Sequence, residues 1–307
     1  MVRTSLIPLG TALLATCAVA LGGCRVGGSP SAGAGGRLAV VAAENTWGSL
    51  VAQIAGTKAD VASIITNPAV DPHDYEPTPA DARRFATADY VVVNGIGYDA
   101  WARKLLAANP ERGRVVLDVG DLVGVHAGGN PHQWYSPASV HAFVARVARD
   151  LGRLDPAHAA YYEQQRDTLE HTRLRAYDDT IASIRDRFRG VAIGASESIV
   201  VPIVPALGVR LATPVPFLDA ISEGNDPSAS DKRTADRQIT GRQIAVFVFN
   251  PQNSTPDVQR LVDAARTERI PVVRMTETLT PRGATFEAWQ TRQLVALRDA
   301  LATAVHR

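Results

Sequence analysis

The sequence predicts an α/β protein in which two α/β lobes are joined by one long helix. Short apolar runs alternate with helical stretches in the first half of the 307-residue chain, and a second set of the same kind begins near residue 190. Between the two sets, residues 156–188 keep a helical spacing of apolar side chains, without a glycine or proline after the first position. We therefore expect a first lobe over residues 37–155, a linking helix over residues 156–188 and a second lobe over residues 189–307.

The start of the chain is expected to lie outside these lobes. Arg3 precedes a mostly apolar stretch, Leu6–Leu21, of the length found in secretory signals, and the following Gly22-Gly23-Cys24 completes a sequence similar to the bacterial lipoprotein processing box. Residues 1–23 would then be a signal peptide and Cys24 the lipidated residue, whereas an ordinary secretory signal is the alternative. Residues 24–36 have the composition of a flexible tether. We expect a lipid-anchored protein on the extracytoplasmic face of the cell membrane.

Composition excludes several other classes. Hydrophobic residues make up 46% and charged residues 21% of the chain, as in ordinary globular proteins. The net charge is +1, and no basic patch is interleaved with aromatic residues, so we expect no nucleic-acid partner. Both cysteines, Cys17 and Cys24, lie near the start, which excludes a disulfide or a cysteine-based metal site from the folded lobes.

The first lobe is predicted from four apolar runs and four helical stretches. The apolar runs, which are typical of buried strands, are residues 38–43, 61–65, 90–94 and 115–118. The helical stretches are residues 49–55, 79–86, 101–108 and 137–154. Ser136 is placed to cap the last of these helices, and Pro137 occupies its first position.

The second lobe is predicted from three strands and three helices. The strands are residues 191–194, 244–249 and 270–273, and the helices are residues 199–206, 258–266 and 286–306. Pro202 and Pro205 disfavour a regular helix over the first of these helical stretches. A polar loop is expected over residues 224–230, and no repeat of fixed period relates the two lobes.

Two loops, each following a predicted strand, place a histidine among prolines. The first is Asp71-Pro72-His73-Asp74-Tyr75-Glu76-Pro77-Thr78-Pro79, and the second is Asn130-Pro131-His132-Gln133-Trp134-Tyr135-Ser136-Pro137. Proline stiffens both loops, so each imidazole loses little freedom on binding a ligand. The spacing alone is compatible with a metal site and equally with two surface histidines that cap turns.

The remaining candidate ligands are weaker. His126 lies in a glycine-rich loop and could be an accessory ligand, while His141, His158, His171 and His306 lie on helical stretches where packed or solvated histidines are usual. In the second lobe, Glu197 and Glu277 each follow a predicted strand and could supply anionic oxygen to a metal. The alternative for both is an acid favoured at the start of a helix.

Together these motifs resemble the metal-binding receptors of bacterial ABC importers, the zinc/manganese cluster A-I of solute-binding proteins. The resemblance runs from about Leu38 to Ala304. It rests on Pro72–Thr78, on Asn94-Gly95 with Trp101, on Asn130–Trp134, on Asp155-Pro156, on Ser196-Glu197 with Leu207-Gly208, and on Thr276-Glu277-Thr278.

The resemblance implies a fold, a function and a site. The fold would have two α/β lobes joined by one long rigid helix, with the metal in the cleft between them. His73, His132, Glu197 and Glu277 would be the ligands, with glutamate in the last place where the family usually has aspartate. Further residues would orient the imidazoles, namely Tyr75, Glu76, Asn130 and Trp134. The protein would be a monomeric receptor, not an enzyme, that delivers its metal to a cognate ABC permease.

Ligand chemistry ranks the cargo and the alternatives. Two nitrogen and two oxygen ligands suit tetrahedral Zn²⁺, whereas a bidentate carboxylate would suit Mn²⁺ or Fe²⁺, so zinc is favoured and manganese comes next. A surface adhesion protein on the same fold would carry only a weak metal site. A secreted zinc hydrolase needs an open metal position, and the sequence has neither an HExxH pair nor a Gly-x-Ser-x-Gly turn.

Overall fold

The computed structural model describes Met1, residues 36–69 and residues 72–305. Residues 2–23 of the predicted signal peptide, Cys24, the tether as far as residue 35, and Asp71 lie outside the described residues. Among the described helices, none combines the length and the apolar character that crossing a bilayer requires.

Two separate four-stranded parallel sheets form the framework, which confirms the predicted α/β class. The first sheet has the order β2-β1-β3-β4 and consists of β1 (Leu38–Glu44), β2 (Ala59–Ile65), β3 (Tyr90–Val93) and β4 (Val115–Asp118). The second has the order β6-β5-β7-β8 and consists of β5 (Ala192–Ala195), β6 (Arg210–Leu211), β7 (Val246–Phe249) and β8 (Val272–Arg274). In each sheet the strand order reverses beside its first strand, and ligands of open α/β sheets bind at the carboxyl ends of the strands at such a point.

Twelve α-helices surround the sheets in the described residues. They are α1 (Asn45–Ala55), α2 (Pro79–Thr87), α3 (Ala100–Ala108), α4 (Val119–Val123), α5 (Pro137–Leu154), α6 (Ala159–Thr168), α7 (Arg175–Phe188), α8 (Val204–Leu207), α9 (Val215–Ser222), α10 (Ala229–Thr240), α11 (Pro256–Thr267) and α12 (Phe286–Val305). The predicted cap of α5 is present, because the Ser136 side chain accepts a hydrogen bond from the backbone N–H of Ser139.

The linking segment is helical, but it is not the single continuous α-helix that the sequence predicted. A 3₁₀ turn, Pro156–His158, precedes α6, and a π-helical turn, Leu169–Arg173, separates α6 from α7. Leu169 and Leu174 are both fully buried. In a regular α-helix, residues five apart point in clearly different directions, whereas a π turn brings them to one side, so it lets both leucines face the core.

Several elements of the second lobe were not predicted. Residues 198–203 form a 3₁₀ helix that leads into the short α8, because prolines prevent a longer regular helix. The edge strand β6 has only two residues, and in α10 only Ala235 and Ile239 are buried. Neither element therefore carries an apolar pattern that could be recognised. The predicted polar loop over residues 224–230 is shorter, since Ser228 caps α10.

The last helix, α12, ties the two halves of the chain together. Its Phe286 packs edge-on against Tyr177 of α7, with 6.1 Å between ring centroids. The backbone N–H of Phe286 donates to Ser49 of α1 at 3.0 Å, and Gln290 donates to the carbonyl of Trp134 at 3.2 Å. These contacts fix the second histidine loop relative to the second lobe.

A buried pair of carboxyl groups lies at the carboxyl edge of the first sheet. Glu44 ends β1 and Asp99 precedes α3, and both are buried. Asp99 accepts hydrogen bonds from the backbone N–H groups of Asn94 and Gly95 at 2.6 and 2.9 Å. Burial, followed by the nearby Asp99 carboxylate, raises the pKa of Glu44 well above its usual range, and burial raises the pKa of Asp99 to about 6.

We expect the protein to lose stability as pH rises from the acidic range because of this pair. Both folded-state pKa values are raised, so the folded protein holds these protons more tightly than the unfolded chain. The resulting stabilisation is complete below the unfolded pKa values and is lost as pH rises through the folded values, which for Asp99 means through about 6. Glu44→Gln keeps a neutral side chain at this position. It should therefore reduce the pH-dependent loss of unfolding free energy, by about 1.4 kcal/mol for each unit of pKa shift removed.

Urea unfolding midpoints measured between acidic and alkaline pH test this expectation. Glu111→Gln changes an exposed glutamate and serves as the control, whose pH profile should match the wild type. Parallel profiles for Glu44→Gln and the wild type would show that Glu44 carries no such proton.

Candidate metal centre

Two imidazoles and one carboxylate converge on a single point. His73 Nε2 lies 3.4 Å, and His132 Nε2 lies 3.6 Å, from Glu277 Oε2. Metal–ligand bonds of about 2.0–2.1 Å in a tetrahedron place the ligand atoms about 3.3 Å apart. The observed spacing is therefore close to what a tetrahedral divalent ion requires.

Each of the three side chains is delivered by a different loop. His73 lies in a 3₁₀ turn, Pro72–Asp74, that follows β2. His132 immediately precedes a second 3₁₀ turn, Gln133–Tyr135, and Glu277 follows β8. The sequence named all three as candidates, and the structure brings them together.

His132 is held in one orientation by Asn130. The Asn130 side-chain oxygen accepts a hydrogen bond from the backbone N–H of His132 at 2.9 Å and lies 3.0 Å from His132 Nδ1. A proton on Nδ1 therefore donates to Asn130, which leaves the lone pair of Nε2 directed at the site. His132 Nε2 is buried and has no hydrogen-bond partner. A buried nitrogen of this kind fits a metal ligand.

Aromatic rings form the wall behind the histidines. Trp134 packs edge-on against His132, with 5.4 Å between ring centroids and an interplanar angle of 88°. Tyr98 packs against His73 at 4.7 Å, and its hydroxyl donates to Glu277 Oε2 at 2.7 Å. Tyr98 thus contacts the carboxylate oxygen that both imidazoles face.

Sequence reasoning missed Tyr98, although a signal was present. Gly95, Ile96 and Gly97 all have positive φ, at 72°, 60° and 92°. Glycine adopts this conformation easily, so the Gly-x-Gly pattern directly after β3 indicates a special turn. That turn positions Tyr98 at the carboxyl end of the sheet, where a site is expected.

Glu197 lies beside this group but is not among the three ligand atoms that lie within 4.8 Å of one another. Its Oε1 accepts a hydrogen bond from Asn250 Nδ2 at 3.0 Å, and its Oε2 accepts a short one from the Ser222 hydroxyl. Asn250 Nδ2 also donates to Glu277 Oε1 at 2.8 Å. The amide therefore links the two glutamates. Sequence reasoning missed Asn250 and Ser222, and no motif in the chain pointed to them.

The two glutamates differ in their electrostatics. Burial alone would raise the pKa of Glu277, but His132 and His73 outweigh burial and hold that pKa well below its usual range. Burial raises the pKa of Glu197. The nearby His132 lowers this pKa, and the negative charge of Glu277 raises it further, so that it stays above its usual value. Two carboxylates this deeply buried need compensating positive charge, which a divalent cation provides.

Two residues expected to orient the imidazoles lie elsewhere. The Tyr75 hydroxyl donates to Asp81 at 2.8 Å, and Asp81 completes the capping box of α2. The Tyr75 ring packs against Trp101, with 5.0 Å between ring centroids. Glu76 is exposed. The Tyr75 hydroxyl is thus engaged by the cap of α2, whereas the other two predicted residues, Asn130 and Trp134, do contact His132.

The other histidines take ordinary positions. His141 lies 3.2 Å from Asp178, and His158 lies 2.7 Å from Asp155. His126 and His171 are exposed, and His306 lies outside the described residues. The expectation for the helical histidines thus agrees with the structure for His141 and His158.

A cavity of about 390 Å³ opens from the site and is lined from both halves of the chain. Its lining includes His73, Tyr98 and Asn130 from the first half, and Ser198, Asp219 and Glu223 from the second. His73 thus lines a cavity whose wall also carries two acidic side chains, Asp219 and Glu223, which attract cations.

Comparison with known proteins adds a family and a fold. The model of the family described as ZnuA, zinc-uptake complex component A, periplasmic, matches residues 40–300. The iron-binding protein YfeA of Yersinia pestis is 31% identical over 140 residues, which are 44% of this chain and 43% of that protein. The manganese ABC transporter substrate-binding lipoprotein PsaA of Streptococcus pneumoniae is 30% identical over 201 residues, 60% of this chain and 62% of that one. The chain thus spans about half the length of the curated relatives it matches.

Solved structures share the architecture. The Mn-bound periplasmic metal binding protein from Candidatus Liberibacter asiaticus superposes with a TM-score of 0.71 at 19% identity, covering 86% of this chain and 100% of that one. The SBP FpvC from Pseudomonas aeruginosa in complex with Mn²⁺ gives a TM-score of 0.72 at 24% identity, covering 87% and 99%. At these identities the likeness shows the fold alone.

Proposed function

Since the chain belongs to the ZnuA family of periplasmic zinc-uptake components, we propose that it captures a divalent transition metal outside the cytoplasm and delivers it to an ABC permease. The observation that carries this proposal is the convergence of His73 Nε2 and His132 Nε2 on Glu277 Oε2 at 3.4 and 3.6 Å. The protein is a binding protein rather than an enzyme, and its relatives are named as substrate-binding lipoproteins.

The ligand set consists of three preformed donors and one that joins them. His73, His132 and Glu277 stand ready at tetrahedral spacing. Glu197 lies outside the group of atoms within 4.8 Å of one another, so it becomes the fourth ligand when the Ser222 hydroxyl turns away and the Glu197 carboxylate moves toward the other three donors. Ser222 has an alternative partner in Ser198, whose Oγ lies 2.8 Å away. This movement costs one hydrogen bond and replaces it with a bond to the metal.

We place zinc first as cargo and manganese second. Two nitrogen and two oxygen donors suit Zn²⁺, and affinities of such sites generally rise from Mn²⁺ to Zn²⁺. Relatives are named for iron and for manganese, so the ranking of zinc first rests on the donor set and not on those names.

The remaining parts of the proposal concern anchoring and partners. Cys24 carries the lipid after removal of residues 1–23, and residues 24–36 tether the protein to the membrane surface. The lobes over residues 37–155 and 189–307 act as a monomer around the linking segment and present the loaded cleft to the cognate permease. An adhesion role on the same fold would not require these convergent donors, so we do not favour it.

Metal titration of the purified, metal-stripped protein tests this function. We expect one tightly bound Zn²⁺ or Mn²⁺ per chain, measured by calorimetry and counted by native mass spectrometry. Glu277→Ala and Glu197→Ala should each lower the affinity at least about tenfold, since each removes a proposed ligand.

Glu163→Ala is the matched control, because Glu163 lies on α6 and pairs with Arg166 at 3.1 Å. It should bind metal like the wild type. The proposal of a metal receptor would fail if the wild type bound no ion tightly, or if both Glu277→Ala and Glu197→Ala bound metal with wild-type affinity.

A further inference from the structure

The geometry points to Asn250 as the residue that limits each glutamate to one metal-binding oxygen and thereby selects a four-coordinate ion. This inference rests on the proposed function and adds which ions the site accepts. Asn250 directly follows β7, at the carboxyl end of the second sheet, and is fully buried.

The orientation of the Asn250 amide is fixed by its surroundings. Its Oδ1 accepts a hydrogen bond from the backbone N–H of Gln252 at 3.0 Å, so the NH₂ group must be the end that faces the glutamates. The backbone N–H of Asn250 donates to Ser196 Oγ at 3.0 Å, which joins the loop to the end of the neighbouring strand β5. The amide is therefore a built part of the site rather than a mobile side chain.

The two amide hydrogens occupy one oxygen of each glutamate. Asn250 Nδ2 lies 3.0 Å from Glu197 Oε1 and 2.8 Å from Glu277 Oε1. The same loop also holds the Glu277 backbone, whose N–H donates to Gln252 Oε1 at 2.7 Å. The carboxylate of Glu277 and the amide that restrains it are thus carried by one hydrogen-bonded unit.

The oxygens left for a cation are the two Oε2 atoms. Glu277 Oε2 already faces both imidazoles and accepts a hydrogen bond from the Tyr98 hydroxyl at 2.7 Å, while Glu197 Oε2 accepts one from the Ser222 hydroxyl, which can rotate toward Ser198. With His73 and His132, this gives two nitrogens and two oxygens. A carboxylate that binds through both oxygens would have to break its bond to Asn250.

Coordination number separates the candidate ions. Zn²⁺ is stable with four ligands in a tetrahedron, whereas Mn²⁺ prefers six, mainly oxygen, ligands. A site that confines both carboxylates to one oxygen each therefore favours Zn²⁺. Removing the amide donor should free both Oε1 atoms and raise the relative affinity for Mn²⁺.

Competition titrations with Zn²⁺ and Mn²⁺ on metal-stripped protein test the inference. In Asn250→Ala the ratio of Zn²⁺ to Mn²⁺ affinity should fall at least about tenfold, the usual scale for residues that orient metal ligands. X-ray absorption of the Zn²⁺-loaded wild type should show four ligands, and the variant should show more. Asn250→Leu also removes the donor at similar side-chain volume, so it should shift the ratio in the same direction even if the alanine variant folds poorly.

Asn253→Ala is the matched control. Asn253 lies in the same loop, is buried, and donates to the carbonyl of Ile221 at 2.9 Å rather than to a carboxylate. It should leave the affinity ratio unchanged. Wild-type protein that binds one ion with six ligands, or Asn250 variants with the wild-type ratio, would overturn the role of Asn250 while leaving the receptor function in place. Wild-type protein that binds neither ion would overturn both.

Discussion

His132→Ala is expected to lower Zn²⁺ affinity at least about 100-fold while the metal-free fold stays intact. Residues that only orient a metal ligand already cost about 10–100-fold when replaced, so loss of a direct ligand should cost more. His132 is fully buried, and Asn130 fixes its ring, so its loss removes a donor that is already oriented toward the site. His73→Ala should have a large but smaller effect, because 22% of the His73 side chain is exposed and water can replace it.

Calorimetric titration with Zn²⁺ measures these losses, and far-ultraviolet circular dichroism checks the fold. His141→Ala is the matched control, since His141 pairs with Asp178 at 3.2 Å on the surface. It should bind Zn²⁺ like the wild type. If His132→Ala also did so, the convergence on Glu277 would not be the binding site.

The histidines could be predicted from the sequence because their signal is local. His73 and His132 each lie in a stiff, proline-framed loop, and the loop itself fixes where the imidazole goes. Glu277 could be named in the same way, since it lies three residues after the end of β8, and the carboxyl ends of parallel strands meet at one edge.

The contacts around these ligands could not be predicted, because they join residues far apart in the chain. Asn250 meets Glu197 and Glu277 only after β5 and β7 pair in register, with Ala195 opposite Val248. An asparagine after a strand is common and carries no information about its partner. Tyr75 was assigned to the site because it lies only two residues after His73 in the sequence. In the structure its hydroxyl donates to Asp81, a contact that nearness in sequence does not reveal.

The fold follows the same division. Strands such as β3 and β7 are continuous runs of buried apolar residues, and their positions agree with prediction to within two residues. The linking segment was predicted as a regular helix because its apolar spacing is nearly helical. The π turn at Leu169–Arg173 depends on how two leucines fit the core, which spacing alone does not contain.

Trp47 connects the core of the first lobe to the second histidine loop. Its ring is fully buried and packs against Phe143, with 4.6 Å between ring centroids. Its indole N–H donates to Asn94 Oδ1 at 2.9 Å, and Asn94 Nδ2 in turn donates to the carbonyl of Pro131 at 2.9 Å. Pro131 directly precedes His132, so this chain of contacts extends from a core side chain to a proposed metal ligand.

Trp47→Ala is therefore expected to reduce both stability and metal affinity. Removing a buried tryptophan costs about 3–5 kcal/mol of unfolding free energy through lost burial and the cavity left behind. Trp47→Phe keeps most of the ring but leaves Asn94 Oδ1 without its donor, at a cost of about 1–3 kcal/mol. Both variants should also weaken Zn²⁺ binding, since Asn94 then holds the Pro131 carbonyl less firmly.

Urea unfolding and Zn²⁺ titration of the same samples separate the two effects. Trp101→Phe is the matched control, because the Trp101 indole N–H is buried with no hydrogen-bond partner and its ring packs in a different cluster with Phe85. Losing that N–H removes no bond, so Trp101→Phe should cost less stability than Trp47→Phe and leave Zn²⁺ affinity unchanged. If Trp47→Phe lost stability but kept wild-type affinity, the path through Asn94 would serve the core alone, and His132 would depend on Asn130 for its position.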